Sequence, residues 1–478
     1  MVVMIVGLCA ATGIAVSWLA SFRPRYVLYI SMFLSPLVPT AFGYSLVESS
    51  IIVSPTRVVE LVLVIAFVIA ATRGGVLRRH FPLAAIFAFY LVVRAIGLIV
   101  APEKAGALIQ VFGEAGLFTM LLGYIAFCLI RNREQFDRLI TTALASGCVI
   151  SFVGIWERVT ERDFSGNVLM PLIGKALENW DTIELKAGLI PRVRATLDSS
   201  LALAGLMVFL FPFALQRAIV RSGFARVVYF VITGLLGVAL FLSFSRIAQL
   251  AVLLETIAML RFYSRKAMTW ILAITVGIGV IVLASIYKNQ NEAPVGEKPS
   301  SLLFPVRTMA LIGNRWIELG KAFAAHPYAA IVGFGFTRFT TDEYTPETMT
   351  IKDLSAYYSN MDTDILRILA VTGILGFVTW AGIFAVFLKR LVTFRRLSPY
   401  SARYAPLLAL AIAVPGCMLT ALPGTSVLTY TQTWPIIAVC MCAGLGILPR
   451  VVYKHVAIER TRWPQPAVVG GYPSEVHS

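Results

Sequence analysis

The chain has 478 residues, of which 58% are hydrophobic and only 14% are charged, and its mean hydropathy is +0.81. A soluble domain of this length carries far more charge, so the composition excludes an ordinary soluble protein and predicts one embedded in a membrane. A net charge of +16 also occurs in nucleic-acid-binding proteins, but here the loop cations account for the excess, and we expect no nucleic-acid partner.

Apolar stretches about long enough to cross a bilayer divide the chain from end to end. Because a helix satisfies its own backbone hydrogen bonds in lipid, they predict an all-α fold, a polytopic transmembrane helix bundle of about 12–13 spans. The predicted spans are 2–20, 26–43, 57–72, 82–101, 108–130, 139–156, 198–216, 227–243, 246–262, 267–287, 364–388, 404–422 and 430–449.

Local breaks and the ends of the chain complete this outline. The second span contains Pro36 and Pro39, which predict a kink or a break. Only residues 243–246 separate the eighth and ninth spans, so a tight turn or a bent helix is expected there. Residues 1–449 are predicted to form a single transmembrane domain, and 450–478 a disordered cytoplasmic tail.

Cations alternate between the two sides of the predicted membrane. The gaps on one side, with the C-terminal tail, hold 23 lysines and arginines, whereas the short gaps on the other side hold only Arg57, Lys104 and Arg246. Positive loops stay in the cytoplasm. The N-terminus is therefore predicted to lie outside and the C-terminus inside.

Cysteine and histidine carry little functional information. All six cysteines fall in apolar spans, and the four histidines are scattered. This pattern predicts neither a disulfide framework nor a metal site, and nothing in the sequence calls for a cofactor.

Two long gaps, 157–197 and 288–363, fall on the predicted outer side. Connections of this length are seldom structureless, and helix-like runs at 175–186 and 306–325 predict two long, partly helical periplasmic loops. Both loops are nearly neutral and therefore do not resemble polybasic segments that bind membrane surfaces.

Arginines and carboxylates converge on this outer side. Arg194 leads into the seventh span, Arg246 opens the ninth, Arg315 begins a helix-like run, and Asp362 and Asp364 enter the eleventh span. The planar guanidinium group suits bidentate binding of phosphate. A carboxylate beside a nucleophilic hydroxyl suits general base catalysis.

Four motifs in this region carry a resemblance to a known family. The chain resembles the bacterial O-antigen ligase and polysaccharide polymerase family over about 190–380. The motifs are Arg194 and Gly205, separated by ten residues, similar to R-x10-G; Ser245-Arg246-Ile247-Ala248, similar to S-R-G-A; Arg315-Trp316, His326-Pro327 and Gly333-x-Gly335, similar to R-W, hP and G-x-G; and Asp362 to Gly376, similar to H/D-N-x-Y-L and G-x-x-G.

The resemblance implies a glycosyltransferase of the bacterial inner membrane. Its donor would be an undecaprenyl diphosphate-linked oligosaccharide, its acceptor a glycan or lipid-linked glycan, and other polysaccharide-assembly proteins are possible partners besides the membrane lipids. It implies catalytic roles for Asp362, Arg194 and Arg315, and substrate binding by Arg246, Arg192, Arg338, Asp364 and His326.

Two positions in this chain depart from the family pattern, and one of them bears on whether the chain resembles the ligases or the polymerases. Ligases usually have His-Asn where this chain has Asp362-Thr363, so the acid favours a polymerase. The second arginine motif is also imperfect, because the position expected to hold glycine after Arg315 is His326.

Other interpretations remain open. Asp362 has the character of a helix cap, Arg246 of a lipid-surface anchor, and His326 of a turn residue before Pro327. Four charged residues lie within the spans: Glu60, Arg94, Glu114 and Glu255. The first three fall nearer the outer side, where structural pairing is favoured and lining a cavity is the alternative. Alternative functions are an O-antigen ligase or protein O-oligosaccharyltransferase, which differ in acceptor, and a small-solute transporter.

Overall fold

The structure is a computed structural model, and it describes a large part of the chain. The described residues are 23–38, 44–45, 52–53, 55–72, 80–101, 108–160, 162, 164, 193–197, 199–263, 316–335, 364–397, 405–421 and 433–462.

These residues form helices, apart from one short antiparallel pair of strands in which Tyr44 lies opposite Val53. The elements in chain order are α1 (Pro24–Leu34), β1 (Tyr44–Ser45), β2 (Ile52–Val53), α2 (Pro55–Thr72), α3 (Ala84–Val100), a π-helix (Ile109–Leu121) that continues into α4 (Leu122–Leu129), α5 (Arg133–Thr160), α6 (Ser200–Val220), α7 (Gly223–Leu242), α8 (Arg246–Tyr263), α9 (316–325), α10 (Pro327–Val332), α11 (Asp364–Leu397), α12 (Ala405–Ala421) and α13 (Trp434–Arg462).

Helices occupy every predicted span that falls within the described residues; the first and tenth spans lie outside them. The all-α class is therefore confirmed. Among the described residues, four helical segments are long and apolar enough to cross a membrane by length and composition: Arg133–Thr160, Ser200–Val220, Gly223–Leu242 and Ile365–Val392. The total number of spans and the side on which each loop lies stay predictions.

Several predicted boundaries differ from the observed ones, among them the ends of α1 and α13. Helix α1 ends at Leu34 rather than near residue 43, and the chain turns at the predicted break around Pro36. Proline lacks a backbone N–H and clashes with the preceding turn, which explains the early end. Helix α13 runs on to Arg462. The first part of the predicted disordered tail, 450–462, is thus helical, since neither Gly nor Pro interrupts it.

Helix α6 lies at the centre of the packing. In its most apolar window, 83% of the residues are buried, against 17% for α7, whose outward face includes Phe224 at 82% exposed. The largest fully buried side chains include Phe209 and Phe213 of α6, Phe136 of α5 and Phe384 of α11. An exposed apolar face on α7 fits contact with lipid, because lipid tails are as apolar as these side chains.

A buried arginine joins three helices at the predicted cytoplasmic end. The guanidinium group of Arg217 donates to the Thr141 hydroxyl at 2.8 Å, to the Tyr229 hydroxyl at 3.1 Å and to the backbone carbonyl of Asp137 at 2.7 Å. The Asp137 carboxylate lies 3.7 Å away. One side chain thereby holds α5, α6 and α7 together.

Candidate functional site

The predicted site residues divide into those whose positions the structure describes and those that it does not. Arg194 and His326 are fully described, and Arg246 and Asp364 are described as the first residues of α8 and α11. The remaining predicted site residues lie outside the described residues: Arg192, Arg315, Arg338 and Asp362.

Glu157, in the last turn of α5, fixes the segment that carries Arg194. Its Oε2 accepts the backbone N–H groups of Arg194 at 3.1 Å and Ala195 at 2.8 Å, and its Oε1 accepts that of Phe164 at 2.9 Å. Glu157 is only 6% exposed. Hydrogen bonds to an ionised acceptor are stronger than neutral ones, so three donors compensate the buried carboxylate.

The same segment is attached to α7 and to the turn that follows α1. The Thr196 hydroxyl donates to the carbonyl of Pro36 at 2.8 Å, and the Val193 N–H donates to the carbonyl of Leu242 at 3.4 Å. Ala195 has a φ of 55°, a left-handed conformation that is rare outside glycine. Such a conformation persists only where neighbouring contacts enforce it, and the Glu157 hydrogen bond does so here.

The contact with Leu242 brings a second predicted motif beside the first. Leu242 ends α7, and the turn Ser243–Ser245 leads directly into Arg246 at the start of α8. The Ser243 hydroxyl donates to the carbonyl of Leu240 at 2.6 Å, and Phe244 has a φ of 54°. The backbone around Arg194 and the helix start at Arg246 are therefore adjacent and locally fixed, as the tight turn predicted at this point allows.

The third and fourth motifs meet at a break in α11. Gly373 has φ 67° and ψ −175°, which interrupts the helix and releases the carbonyls of the preceding turn. Two of these carbonyls find partners in the segment after α10: Phe334 N–H donates to Ala370 at 2.8 Å, and Gly335 N–H to Val371 at 3.2 Å. The break is thus satisfied by a strand-like contact with the 333–335 segment.

Glycine is required on both sides of this contact. A Cβ on Gly333, whose φ is 84°, would overlap the carbonyl oxygen of Val371, and a Cβ on Gly373 would overlap that of Ile331. A Cβ on Gly335 would lie 2.7 Å from the Cα of Ala101. We call this contact, between 331–335 and 370–373, the glycine junction. Backbone packs directly on backbone here, so neither partner has a side chain that can move aside.

A small apolar cluster supports the glycine junction. It is formed by Leu319, Ala329, Phe334, Leu366 and Ala370. The Phe323 ring stacks on Phe334 with centroids 5.6 Å apart. His326 occupies the turn between α9 and α10 and sets its ring edge-on to Phe334 at 6.1 Å. His326 is thus a turn residue, which is one of the two interpretations that the sequence allows. Its contact with a substrate stays a prediction.

A small, partly open cavity of about 10 Å³ lies beside the glycine junction. It is lined by Val93, Arg94, Gly97, Leu98, Val111, Gly335, Val371 and Thr372. The sequence favours structural pairing for the charged residues inside the spans, and Glu60 does form an ion pair with Arg57 at 2.7 Å. Arg94 lines the wall of this cavity.

The described residues contain no group of three or more His, Cys, Asp or Glu side chains that could hold a metal ion.

Sequence reasoning missed two parts of this region. In the sequence, Glu157 is only the first acid after an apolar span, although a carboxylate at such a boundary with a long loop following is a candidate anchor. The glycines of the third and fourth motifs are pattern residues in the sequence, and only the structure shows that they contact each other.

No protein-family model matches this chain, and no curated protein matches it either.

Proposed function

We propose that this protein transfers or polymerises undecaprenyl diphosphate-linked glycan repeat units on the periplasmic side of the bacterial inner membrane. One observation carries the proposal: the Arg194 segment and the helix start at Arg246 are held side by side at the predicted outer end. These are two of the four motifs that resemble the polysaccharide polymerase and ligase family. The hydrogen bond joins Val193, next to Arg194, to Leu242, four residues before Arg246, and arginine side chains suit a diphosphate group.

The proposed reaction is a glycosyl transfer without a metal. The acceptor hydroxyl attacks the anomeric carbon of the donor, its proton passes to Asp362, and the bond to the lipid diphosphate breaks. Arg194 and Arg315 stabilise the negative charge on the departing diphosphate. Substrate contacts are proposed for the remaining site residues, which are Arg246, Arg192, Arg338, Asp364 and His326.

The way in which Arg194 is held supports this role. The hydrogen bonds to Glu157 use the backbone N–H groups of Arg194 and Ala195, so these contacts leave the guanidinium group out. A side chain that is positioned by its backbone is preorganised for a ligand. Replacing it should therefore impair transfer without disturbing the fold.

The glycine junction also supports the proposal, because it connects the third motif, which begins at Arg315, with the fourth, which begins at Asp362. It fixes 331–335 against α11, which begins at Asp364, two residues after the proposed base. Helices α9 and α10, which follow Arg315 in the chain, are consequently joined to α11, which follows Asp362. Relative placement of base and leaving-group ligand is what such a reaction requires, because small displacements cost large factors in rate.

The test is a complementation experiment in a strain that lacks the gene. Arg194→Gln and Arg315→Gln should each reduce transfer, since loss of a charge-assisted contact costs about 1.5–3 kcal/mol, or roughly 10- to 150-fold. Lysine at either position should retain only part of the transfer activity, because it lacks the planar fork that binds a phosphate through two hydrogen bonds. Surface glycan and single lipid-linked repeat units are measured at matched protein levels. Arg226→Gln is the control, because Arg226 is exposed at the other end.

Normal polymer in both glutamine variants, at wild-type protein levels, would refute the assignment of the arginines. Reporter fusions test the setting of the reaction: residues 288–363 should report outside and 450–478 inside. A cytoplasmic position for 288–363 would remove the lipid-linked donor from reach and end the proposal.

The acceptor decides between the polymerase and its nearest alternatives, an O-antigen ligase and a protein O-oligosaccharyltransferase. A more distant alternative, a small-solute transporter, is favoured by one observation: the cavity lined by Arg94 lies at the break in α11. Transporters commonly bind anionic solutes at broken helices. Accumulation of single lipid-linked repeats after gene deletion supports transfer, whereas their absence, with uptake of a solute lost, supports transport.

A further inference from the structure

Glu255 is a buried carboxyl group in the middle of α8, far from the site described above. Its side chain is 3% exposed, and both carboxyl oxygens are buried without a hydrogen-bond partner among the described residues. It lies nine residues after Arg246, the start of the helix. At about 1.5 Å per residue, either helix end is more than roughly 10 Å away.

The carboxyl group lies directly against the backbone of α12. A Cβ on Gly416 would overlap Glu255 Oε1 and lie 2.6 Å from the carboxyl carbon. The next residue, Cys417, directs its thiol to the carbonyl of Gly205 in α6 at 3.9 Å. Glu255 therefore lies where α6, α8 and α12 meet, in a space that only a glycine leaves open.

No cation in the described residues compensates a charge at this position. The titratable group of α12 is Cys417, that of α6 is Arg217, and those of α7 are Arg226 and Tyr229. Arg217 is engaged with Asp137 and Thr141 near the predicted cytoplasmic end. On α8 itself the other ionisable residues are at its ends: Arg246, Arg261 and Tyr263.

Glu157 shows what a buried carboxylate needs in this protein. It is buried to a similar degree, 6% exposed against 3%, but it accepts three backbone N–H groups. Glu255 has no such donor among the described residues. An ionised carboxylate that gives up its hydration without replacement is strongly disfavoured, and such a group is neutralised instead.

We propose that Glu255 is a proton-binding site in the core of the helix bundle. The carboxylate takes one proton from solvent as α8 and α12 pack together, and the neutral acid is the form that fits against Gly416. The ligand is the proton itself, and the site is independent of glycosyl transfer at the predicted outer end.

A hydrophobic carbodiimide tests the proposal on the full-length protein in detergent. Dicyclohexylcarbodiimide reacts with a carboxylic acid in apolar surroundings: the acid proton passes to a carbodiimide nitrogen, the carboxyl oxygen bonds to the central carbon, and rearrangement leaves a stable N-acylurea. Peptide mass spectrometry should find this adduct on Glu255 at pH 7. Its yield should fall about tenfold for each pH unit above the titration midpoint. Glu157, held as a carboxylate, should stay unmodified.

Glu255→Gln provides a second measurement that does not depend on access of the reagent. Glutamine is neutral and has nearly the same shape, so the variant should fold. Because the folded wild type keeps a proton that the unfolded chain releases, its melting temperature should fall as the pH rises from 5 to 9. The melting temperature of Glu255→Gln should change less over this range.

The two measurements decide together. An adduct on Glu255 and not on Glu157, with a flatter pH dependence in the glutamine variant, establishes the site. Equal labelling of Glu157 and Glu255 overturns it, as does a Glu255→Gln variant whose melting temperature follows the same pH dependence as the wild type.

Discussion

The contacts between helices are of a different kind at the two ends of the helix bundle. At the predicted cytoplasmic end, a side chain is the connector: Arg217 binds Thr141, Tyr229 and the Asp137 carbonyl. At the predicted outer end, backbone groups are the connectors, in the N–H groups that Glu157 accepts and in the glycine junction. An arginine side chain thus makes the connection at one end, whereas at the other end the hydrogen bonds to Glu157 come from the backbone of the Arg194 segment.

This difference separates two kinds of mutation. Loss of an arginine side chain at the first end should lower stability, whereas loss of one at the second should lower activity. Substitutions at both ends test that separation, beginning with the largest expected effect.

Gly333→Ala and Gly373→Ala should each prevent accumulation of the folded protein. Each adds a Cβ where backbone atoms already lie, and each forces a left-handed conformation on a residue with a side chain. We expect a loss of more than about 3 kcal/mol in the free energy of unfolding. Detergent-solubilised protein and its melting temperature are the measurements.

Gly223→Ala is the matched control for this pair. Gly223 also has a left-handed φ, 60°, but the described residues leave open space within 4 Å of the position that a Cβ would take there. The free energy of unfolding of Gly223→Ala should fall by only about 1 kcal/mol, the cost of the left-handed backbone conformation alone. Equal losses at Gly223 and Gly333 would show that strain, not backbone overlap, explains the glycine junction.

Asp362→Asn should reduce transfer by about 10²- to 10⁴-fold and leave stability unchanged, if Asp362 is the general base. Asparagine keeps the shape and removes the proton acceptor. Single lipid-linked repeat units should accumulate, since the arginines still bind the diphosphate. If Asp362 is only a helix cap, asparagine should serve equally well, and wild-type polymer would make Asp364 the next candidate.

Arg217→Gln should destabilise the protein by about 3 kcal/mol, because buried partners at Thr141, Tyr229 and Asp137 lose their donor. Residual folded protein should retain wild-type transfer activity per molecule. Arg226→Gln, at an exposed position of α7, should change stability by less than about 0.5 kcal/mol. A stable Arg217→Gln protein without activity would reverse the proposed contrast between the two ends.

Glu157→Gln should have a smaller effect, about 2 kcal/mol, concentrated at the predicted outer end. One amide oxygen can still accept, but the amide nitrogen then faces an N–H group that had an acceptor. Proteolysis between 160 and 200 should become faster while the global melting temperature falls little. Unchanged protease resistance would show that other contacts hold the Arg194 segment.

The helices could be predicted from the sequence because hydropathy and length are local properties. The end of α1 near Pro36 is predictable for the same reason, since a proline acts on its own turn. The break in α11 could not be read in this way: Gly373 lies in an uninterrupted apolar run, and the partners that satisfy the break come from 333–335.

The candidate site was predictable only in part. The motifs located Arg194, Arg246 and the glycines near one end, but the carboxylate that fixes Arg194 lies 37 residues earlier and belongs to none of them. Its function depends on a contact between distant parts of the chain, which spacing along the sequence does not encode. Arg315 and Asp362 lie outside the described residues, so their placement rests on the motifs alone.

The glycine junction also sets an order for biogenesis. The segment 331–335 is synthesised before α11, yet the carbonyls that it binds become available only when Gly373 has broken that helix. A nascent chain that ends before about residue 370 therefore lacks the carbonyls of Ala370 and Val371, to which Phe334 and Gly335 donate in the folded protein. The glycine junction can form only after this part of α11 has been synthesised, although its first half is made about 35 residues earlier.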